Sequence, residues 1–288
     1  MLLSKKLWSL NHTKNSKGRR PSLIFYITPY LYKIKNFTAK IEFRIEKDQY
    51  VIKTATDYKD IEKVLKLRHE VFYTELLKKN LITGIDIDKF DFICDHLMVE
   101  DKNTGELIGT YRLNSSLFSS NFYSETEFDI SNILKLPGIK LELGRACIHK
   151  EHRNGITIAL LWSGLSEYIK LTGTDYLFGC SSIKTTSLNE IVYIEKYLQT
   201  YHYAPESLRV IPKKKFKIKN LQKKVESLKE YDSKEARKMI PSLLKSYIKT
   251  GALICGEPAL DKDFECIDCF TLLYVSQMNK IVKNKFQI

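Results

Sequence analysis

Apolar and polar residues alternate through "IEFRIEKDQYVIKT", residues 41–54, which is the period of a half-exposed strand. The period then lengthens. Asp57 suits a helix N-cap for "YKDIEKVLKLRHEVFYTELLKK", in which Ile61, Val64, Leu65, Val71 and Phe72 fall near one face. An acid-rich loop, "GIDIDKFDFICD" (84–95), leads to a strand at "HLMVED", and the turn "KNTG" joins it to "ELIGTYRLNSS" as a hairpin. After a variable middle (115–138) the pattern predicts a strand at "KLELGRACIH" (140–149), a basic turn and a helix at "ITIALLWSGLSEYIKLTG". A strand at "YLFGCSS" and a helix at "LNEIVYIEKYLQTY" follow.

Beyond residue 204 the pattern is mixed. "VIPKKKFKIKNLQKKVESLKEYD" combines a basic strand-like piece with a helical one, "ARKMIPSLLKSYIKTG" reads as one helix closed by Gly251, and "ALICGEPALDKDFECIDCFTLLYVSQM" supplies one or two last strands. No repeat or low-complexity segment interrupts the chain. The order of elements predicts an α/β or α+β fold with a mostly antiparallel central sheet flanked by helices. The expected organisation is a basic N-terminal extension (1–40), a core (41–204) and a C-terminal part (205–288) completing the same domain.

Composition refines this picture. The 288 residues are 43% hydrophobic with only seven prolines, enough for a large core. The net charge of +13 is concentrated in residues 1–45 and 201–250, and the remainder is net negative. Two basic patches on such a body suit an anionic surface or partner, whether lipid, nucleic acid or an acidic carrier protein. Nucleic acid fits poorly, because no helix-turn-helix, zinc-finger or aromatic stacking motif accompanies the lysines. The run "PKKKFKIKNLQKK" reads either as a charged edge strand or as a dock for an acidic protein or anionic headgroups, with Lys213, Lys214 and Lys215 as its candidates.

The six cysteines lie mostly in apolar runs, as reduced buried thiols do. Cys266 and Cys269 form a lone C-x-x-C without further ligands, so no metal site is expected. "SLIFYITPYLYKI" (22–34) is too short to span a bilayer and is broken by Pro29. It is either a plain leader or a segment resting on a membrane face with Trp8, Tyr26, Tyr30 and Tyr32 at headgroup depth. A cytoplasmic protein, peripheral on the inner membrane face, is the expectation.

Charged side chains at apolar positions carry the candidate chemistry. Glu142 and Arg145 interrupt an apolar strand, and Arg68 and Arg112 also sit in apolar surroundings. Buried cations need partners, and Asp86, Asp88, Asp91 and Asp95 of the acidic loop are the evident ones. Glu142 reads as a general base, its basicity raised by an apolar wall, or as a structural partner of Arg145 or Arg112. His149, at the strand end, is a rival base. Asp261, Asp263 and Asp268 read as turn formers or as holders of an ammonium group.

Two resemblances sharpen these readings. The strand, turn and helix around "EHRNGIT" are similar to the donor-binding turn of the GNAT acyltransferases, whose backbone N–H groups cradle a pyrophosphate or phosphopantetheine, although the full glycine spacing is absent. More widely, "LRHEVFYTE", "FDFICDHLMV", "GTYRL", "YSETEFDI", "LELGRACIH", "YLFGCSS" and "ALDKDFECIDCF" occur in sequence order. Together they resemble the ornithine-lipid-type N-acyltransferases, often labelled haemolysins, distant relatives of the acyl-homoserine-lactone autoinducer synthases.

That resemblance covers about residues 55–275 and implies a GNAT-like fold. The implied activity transfers a fatty, or 3-hydroxy fatty, acyl chain from acyl carrier protein to the amine of an amino acid such as ornithine, giving a lyso-aminolipid. It implies Glu142 as base, Arg68, Phe72, Asp91, Arg112 and Arg145 around the acceptor, and Cys147, Ile148, Arg153 and Gly155 at the phosphopantetheine. The implied co-substrate is an acyl-carrier phosphopantetheine thioester or acyl-CoA, with no permanently bound cofactor. The alternatives are an autoinducer-type synthase, a membrane-active haemolysin, and an acyl-carrier-binding protein without catalysis.

Overall fold

The computed structural model describes residues 32–278. Most of the basic leader, including Trp8, Tyr26 and Tyr30, lies outside the described residues, whereas Tyr32 is within them and exposed. In chain order the elements are β1 (Arg44–Lys47), β2 (Tyr50–Thr54), α1 (Tyr58–His69), β3 (Asp95–Asp101), β4 (Leu107–Ser115), β5 (Phe128–Asp129), α2 (Ser131–Leu134) and β6 (Ile139–Ile148). There follow α3 (Gly155–Thr172), β7 (Thr174–Ile183), α4 (Leu188–Tyr201), β8 (Ile211–Pro212), α5 (Leu221–Glu226), α6 (Ser233–Met239), α7 (Ser242–Thr250), β9 (Leu253–Ile254), β10 (Ala259–Asp261) and β11 (Cys266–Tyr274). This is the expected α/β class: among the described residues β1–β2, β2–β3, β3–β4, β5–β8, β7–β11, β9–β11 and β10–β11 pair antiparallel, and β6 and β7 run parallel.

The chain forms two compact units, one of residues up to Asn114 with Arg145–Leu171, the other of Ser115–Gly144 with the chain from Thr172 onward. The second unit therefore joins residues from both sides of position 204, and β6 contributes its two halves to different units.

In the first unit β1 and β2 form a hairpin, Arg44 opposite Lys53, where the alternation of 41–54 predicts one strand. Asp48 turns the chain with φ 52°. Paired residues share a face, and Ile45 stands opposite Ile52, so the apolar phase shifts from odd positions (41, 43, 45) to even ones (50, 52) across the two-residue turn, a shift that a single strand cannot accommodate. Asp57 caps α1 as expected, accepting the N–H groups of Lys59 and Asp60 at 2.8 and 2.9 Å. The helix then widens into a π-helical turn over Glu70–Leu76. Ile61, Val64, Leu65 and Val71 pack with Met98, Leu107 and Cys147 into one buried cluster. Helix α3 is tied to β3 where Tyr168 donates its hydroxyl to Asp95 at 2.8 Å.

In the second unit β7 pairs with β11 from Tyr176↔Tyr274 to Ile183↔Ile267, and β9 and β10 each pair with β11. Phe178 stacks on Phe270, with Phe122 and Phe128 edge-on to them. Helices α4, α5 and α7 bury Ile191, Ile194, Leu198, Leu221, Val225 and Leu244 against Ile254 and Ile267.

Two sequence expectations change here. The lysine run is no strand beyond Pro212: the Phe216 N–H bonds back to the Lys213 carbonyl at 2.7 Å, and buried Phe216 and Ile218 pin the turn while the lysines face solvent. The helix read over 236–251 is two, broken at Ile240, whose ψ of 128° obeys the restriction that Pro241 imposes on its neighbour. Gly251, at φ 111°, closes α7 as expected.

Candidate active site

Three arginines and three aspartates form a buried network in the first unit. From α1, Arg68 sends Nε to Asp86 at 2.8 Å and Nη1 and Nη2 to the two oxygens of Asp91 at 2.6 and 3.2 Å. From β4, Arg112 Nη1 reaches both oxygens of Asp88 at 2.8 Å and Asp91 Oδ1 at 3.1 Å. From β6, Arg145 Nη2 donates to Asp88 at 3.2 Å, with Nε 3.4 Å from Asp86. The loop presents its carboxylates rigidly because Asp88 and Asp91 also cap a short 3-10 turn at Lys89–Phe92.

The Asp86, Asp88 and Asp91 partnerships match the expectation. Asp95 does not join them: it accepts the N–H groups of Lys40 and Ile41 and the Tyr168 hydroxyl. Burial raises the Asp88 pKa, but the guanidiniums of Arg112, Arg145 and Arg68 outweigh it and hold the carboxyl well below its ordinary range. Buried His96, with Nε2 3.0 Å from the Asp91 carbonyl oxygen, is pushed down to about 4, chiefly by burial.

Arg68 and Arg112 are buried, whereas Arg145 retains 12% side-chain exposure and makes the longest contacts of the three. It also carries φ 49°, a left-handed backbone that a non-glycine residue adopts at a cost. Phe72 packs partly buried on the same core.

Glu142 lies in the second unit, nearly buried at 5% exposure. The Ser124 and Tyr123 N–H groups donate to its two oxygens at 2.7 and 2.8 Å. Its carboxylate thus meets amides at the start of a 3-10 turn (Tyr123–Thr126), where the sequence leads one to expect an apolar wall. Amide donors suit the anion, the form a base must have before it takes a proton. The parallel pairing of β6 with β7 runs from Ile139↔Thr174 to Glu142↔Phe178. At the next position a Cβ on Gly179 would stand 2.2 Å from the Leu143 carbonyl oxygen, so only glycine fits.

At the turn before α3, Arg153 grips both oxygens of Glu75, keeping that carboxyl below its usual range, and sends Nε to the Ile148 carbonyl at 3.1 Å. Asn154 Oδ1 accepts the N–H groups of Ile156 and Thr157, each at 3.1 Å. This cap, missed in the sequence, occupies amides that a phosphate cradle uses; the signal was an Asn two residues ahead of a helical run. Gly155 has open space where a Cβ would stand, and Cys147 is buried with its thiol pushed up to about 12 by that burial. His149, the rival base, turns Nε2 toward Glu70 at 3.4 Å and Glu106 at 3.7 Å. His152 lies 3.8 Å from Glu106, and together Glu106, His149 and His152 offer a donor set able to hold a metal.

Lys213, Lys214 and Lys215 are exposed, though Lys213 Nζ is tied to the Glu125 carbonyl. Among the described residues no helix is long and apolar enough to cross a membrane. A group that sequence reasoning missed in part is Glu127, fully buried beside Asp261 and Asp268.

Residues 67–163 match the acetyltransferase (GNAT) domain family. The chain is 29% identical to the L-ornithine N(alpha)-acyltransferase of Rhodobacter capsulatus over 80% of its own length and 92% of the relative's. It is 30% identical to the L-ornithine N(alpha)-acyltransferase of Rhizobium meliloti, covering 67% and 68% of the two chains. A solved CoA-dependent acyl-homoserine lactone synthase is 12% identical, with a TM-score of 0.45 over 80% of this chain and 84% of that one.

These features define a GNAT-type enzyme that transfers acyl groups to nitrogen. The chain belongs to the L-ornithine N(alpha)-acyltransferase family.

Proposed function

We propose that this N-acyltransferase takes a fatty acyl chain from the phosphopantetheine thioester of acyl carrier protein and places it on the α-amine of ornithine or a similar amino acid. The product is a lyso-aminolipid, made at the inner face of a membrane. The observation that carries the reading is Glu142, an anion-ready carboxylate set mid-strand by two backbone amides.

An α-ammonium has no lone pair and must lose a proton before it attacks. Glu142 accepts that proton, directly or through a water. The freed nitrogen attacks the thioester carbonyl carbon, the C–N bond forms, and the C–S bond breaks. The thiolate leaves with the proton that the nitrogen sheds, so amide and free thiol are the products. Arg145, the network's most exposed arginine, is assigned to the acceptor carboxylate, which a guanidinium can hold with two parallel bonds. Arg68, Asp91 and Arg112 hold it in place, and Phe72 flanks the acceptor.

The donor arm runs past Cys147 and Ile148 to Arg153 and Gly155. With Asn154 on the first helical amides and Glu75 on Arg153, this turn is a modest phosphate site, which favours a carrier held by protein contacts over free acyl-CoA. Lys213, Lys214 and Lys215 supply the positive surface for an acidic carrier or anionic headgroups. The test offers the purified chain an acyl carrier thioester and a panel of amino acids, reading free thiol and, by mass spectrometry, acylated product. Thiol release without any acylated amine, or none at all, rejects the proposal.

A further inference from the structure

Glu127, Asp261 and Asp268 present carboxylate oxygens within 4.8 Å of one another, and all three side chains are buried. Three buried carboxyls at that spacing cannot all carry charge unaided: burial, then Asp268 and Asp261, push the Glu127 carboxyl well above its ordinary range, so it holds a proton unless a cation takes its place. Two of them have hydrogen-bond support: Asp268 accepts the Ser182 hydroxyl at 2.6 Å, and Asp261 accepts the N–H groups of Asp263 and Phe264 at 2.7 and 3.2 Å. Glu127 differs. It is fully buried, neither oxygen receives a hydrogen bond of ordinary geometry, and its nearest polar neighbours are Tyr123 and Asp268. A buried carboxyl aimed at two others, with the Tyr123 side chain as its near donor but no hydrogen bond of ordinary geometry to either oxygen, leaves room for a ligand that brings donors and positive charge.

The place of the cluster in the fold says which ligand. Glu127 directly follows the turn Tyr123–Thr126 whose first amides hold Glu142, and Cys180 lies against the turn's middle, Sγ 3.6 Å from Ser124 Oγ. At about 2 Å of rise per residue, the backbone of Glu127 follows the amides that hold Glu142 by roughly 6–8 Å along this 3-10 turn. Two amines joined through four carbons span about 6 Å at standard bond lengths. An ammonium also has three donors for three carboxylates, whereas calcium or magnesium asks for six or more oxygens.

We infer that Glu127, Asp261 and Asp268 form the subsite that holds the distal ammonium of a diamino-acid acceptor whose α-amine reacts at Glu142. This inference rests on the amino-acid acceptor proposed above. It makes these three residues the determinants of acceptor choice, with Glu142 left to the proton transfer.

The test compares ornithine, citrulline and norvaline as acceptors for the full chain and for Glu127→Gln and Asp268→Asn. The expected wild-type result is a kcat/KM at least 100-fold higher for ornithine than for citrulline or norvaline, and a collapse of that ratio to under 10-fold in Glu127→Gln, mostly through KM for ornithine. Norvaline used as well as ornithine by the wild type, or a ratio unchanged in both variants, overturns the inference while leaving the acyltransferase reading intact. Should no amino acid be acylated, that reading fails, and calorimetric titration still decides the subsite. Ornithine binding at least tenfold tighter than norvaline supports it, as wild-type data alone can show even where a variant does not fold. Equal binding, or heat from Ca2+ or Mn2+ with none from ornithine, overturns it.

Discussion

Ser124 donates its backbone N–H to Glu142 Oε1 at 2.7 Å, from a turn that begins one residue earlier in the chain. The candidate base is therefore oriented by main chain, which substitution of neighbouring side chains leaves in place. Glu142→Gln keeps the shape but sets an NH2 group against one of the two amide donors, its carbonyl oxygen still accepting the other, and removes the proton acceptor. Turnover should fall about 10²–10⁴-fold, with unfolding at a modestly lower temperature and carrier affinity retained. Steady-state kinetics beside carrier binding checks this, and near-normal turnover would remove Glu142 from the chemistry.

Among the network arginines, exposure separates structure from substrate contact. Arg68→Met strands Asp86 and Asp91 in the core and should cost about 3–5 kcal/mol, seen in denaturant unfolding. Arg145→Lys keeps a charge but loses the planar fork, so it should raise KM for the acceptor with a much smaller stability loss. If Arg145→Lys destabilises as much as Arg68→Met and leaves KM alone, Arg145 is purely structural.

Glu195 gives the fold a pH dependence. Buried on α4, it accepts hydrogen bonds from Gln199 and Tyr203, yet burial still pushes its carboxyl up to about 7. A carboxyl raised on folding binds its proton more tightly in the native state, so its contribution is complete below the unfolded value near 4.5 and declines as pH rises to about 7. The loss across that window is on the order of 3 kcal/mol. Glu195→Gln should flatten the stability curve between these limits and unfold later than wild type at pH 8. An identical pH profile for both proteins would refute the assignment.

Charge reversal at Lys214 and Lys215 should raise KM for the acyl carrier several-fold, and added salt should do the same to the wild type by screening. Lys213 is the weaker probe because its ammonium is already held by the Glu125 carbonyl. An unchanged KM places the carrier on another surface.

Much of this was legible in the residues. The 3.6 period over Leu188–Tyr201, the Asp57 cap and the Gly251 stop are local signals, and each sits where its chemistry places it. The hairpin at Asp48 was legible only in a phase shift, since the apolar positions move from odd (41, 43, 45) to even (50, 52) across a turn of just two residues. The lysine run failed as a strand because burial of Phe216 and Ile218 is a tertiary event. In the site, buried arginines announced their aspartate partners, but Asp95 shows that an acid in the right loop can serve a tyrosine and two amides instead. Glu127 gave no signal inside "ETEFDI", since its neighbours in space, Asp261 and Asp268, lie far away in sequence.

Arg145 bears its guanidinium on a backbone at φ 49°, which costs an L-residue roughly 1–2 kcal/mol. Directed evolution for heat resistance alone would thus drift toward glycine here, gaining melting temperature while discarding the group assigned to the acceptor. Libraries meant to harden this catalyst should hold position 145 fixed.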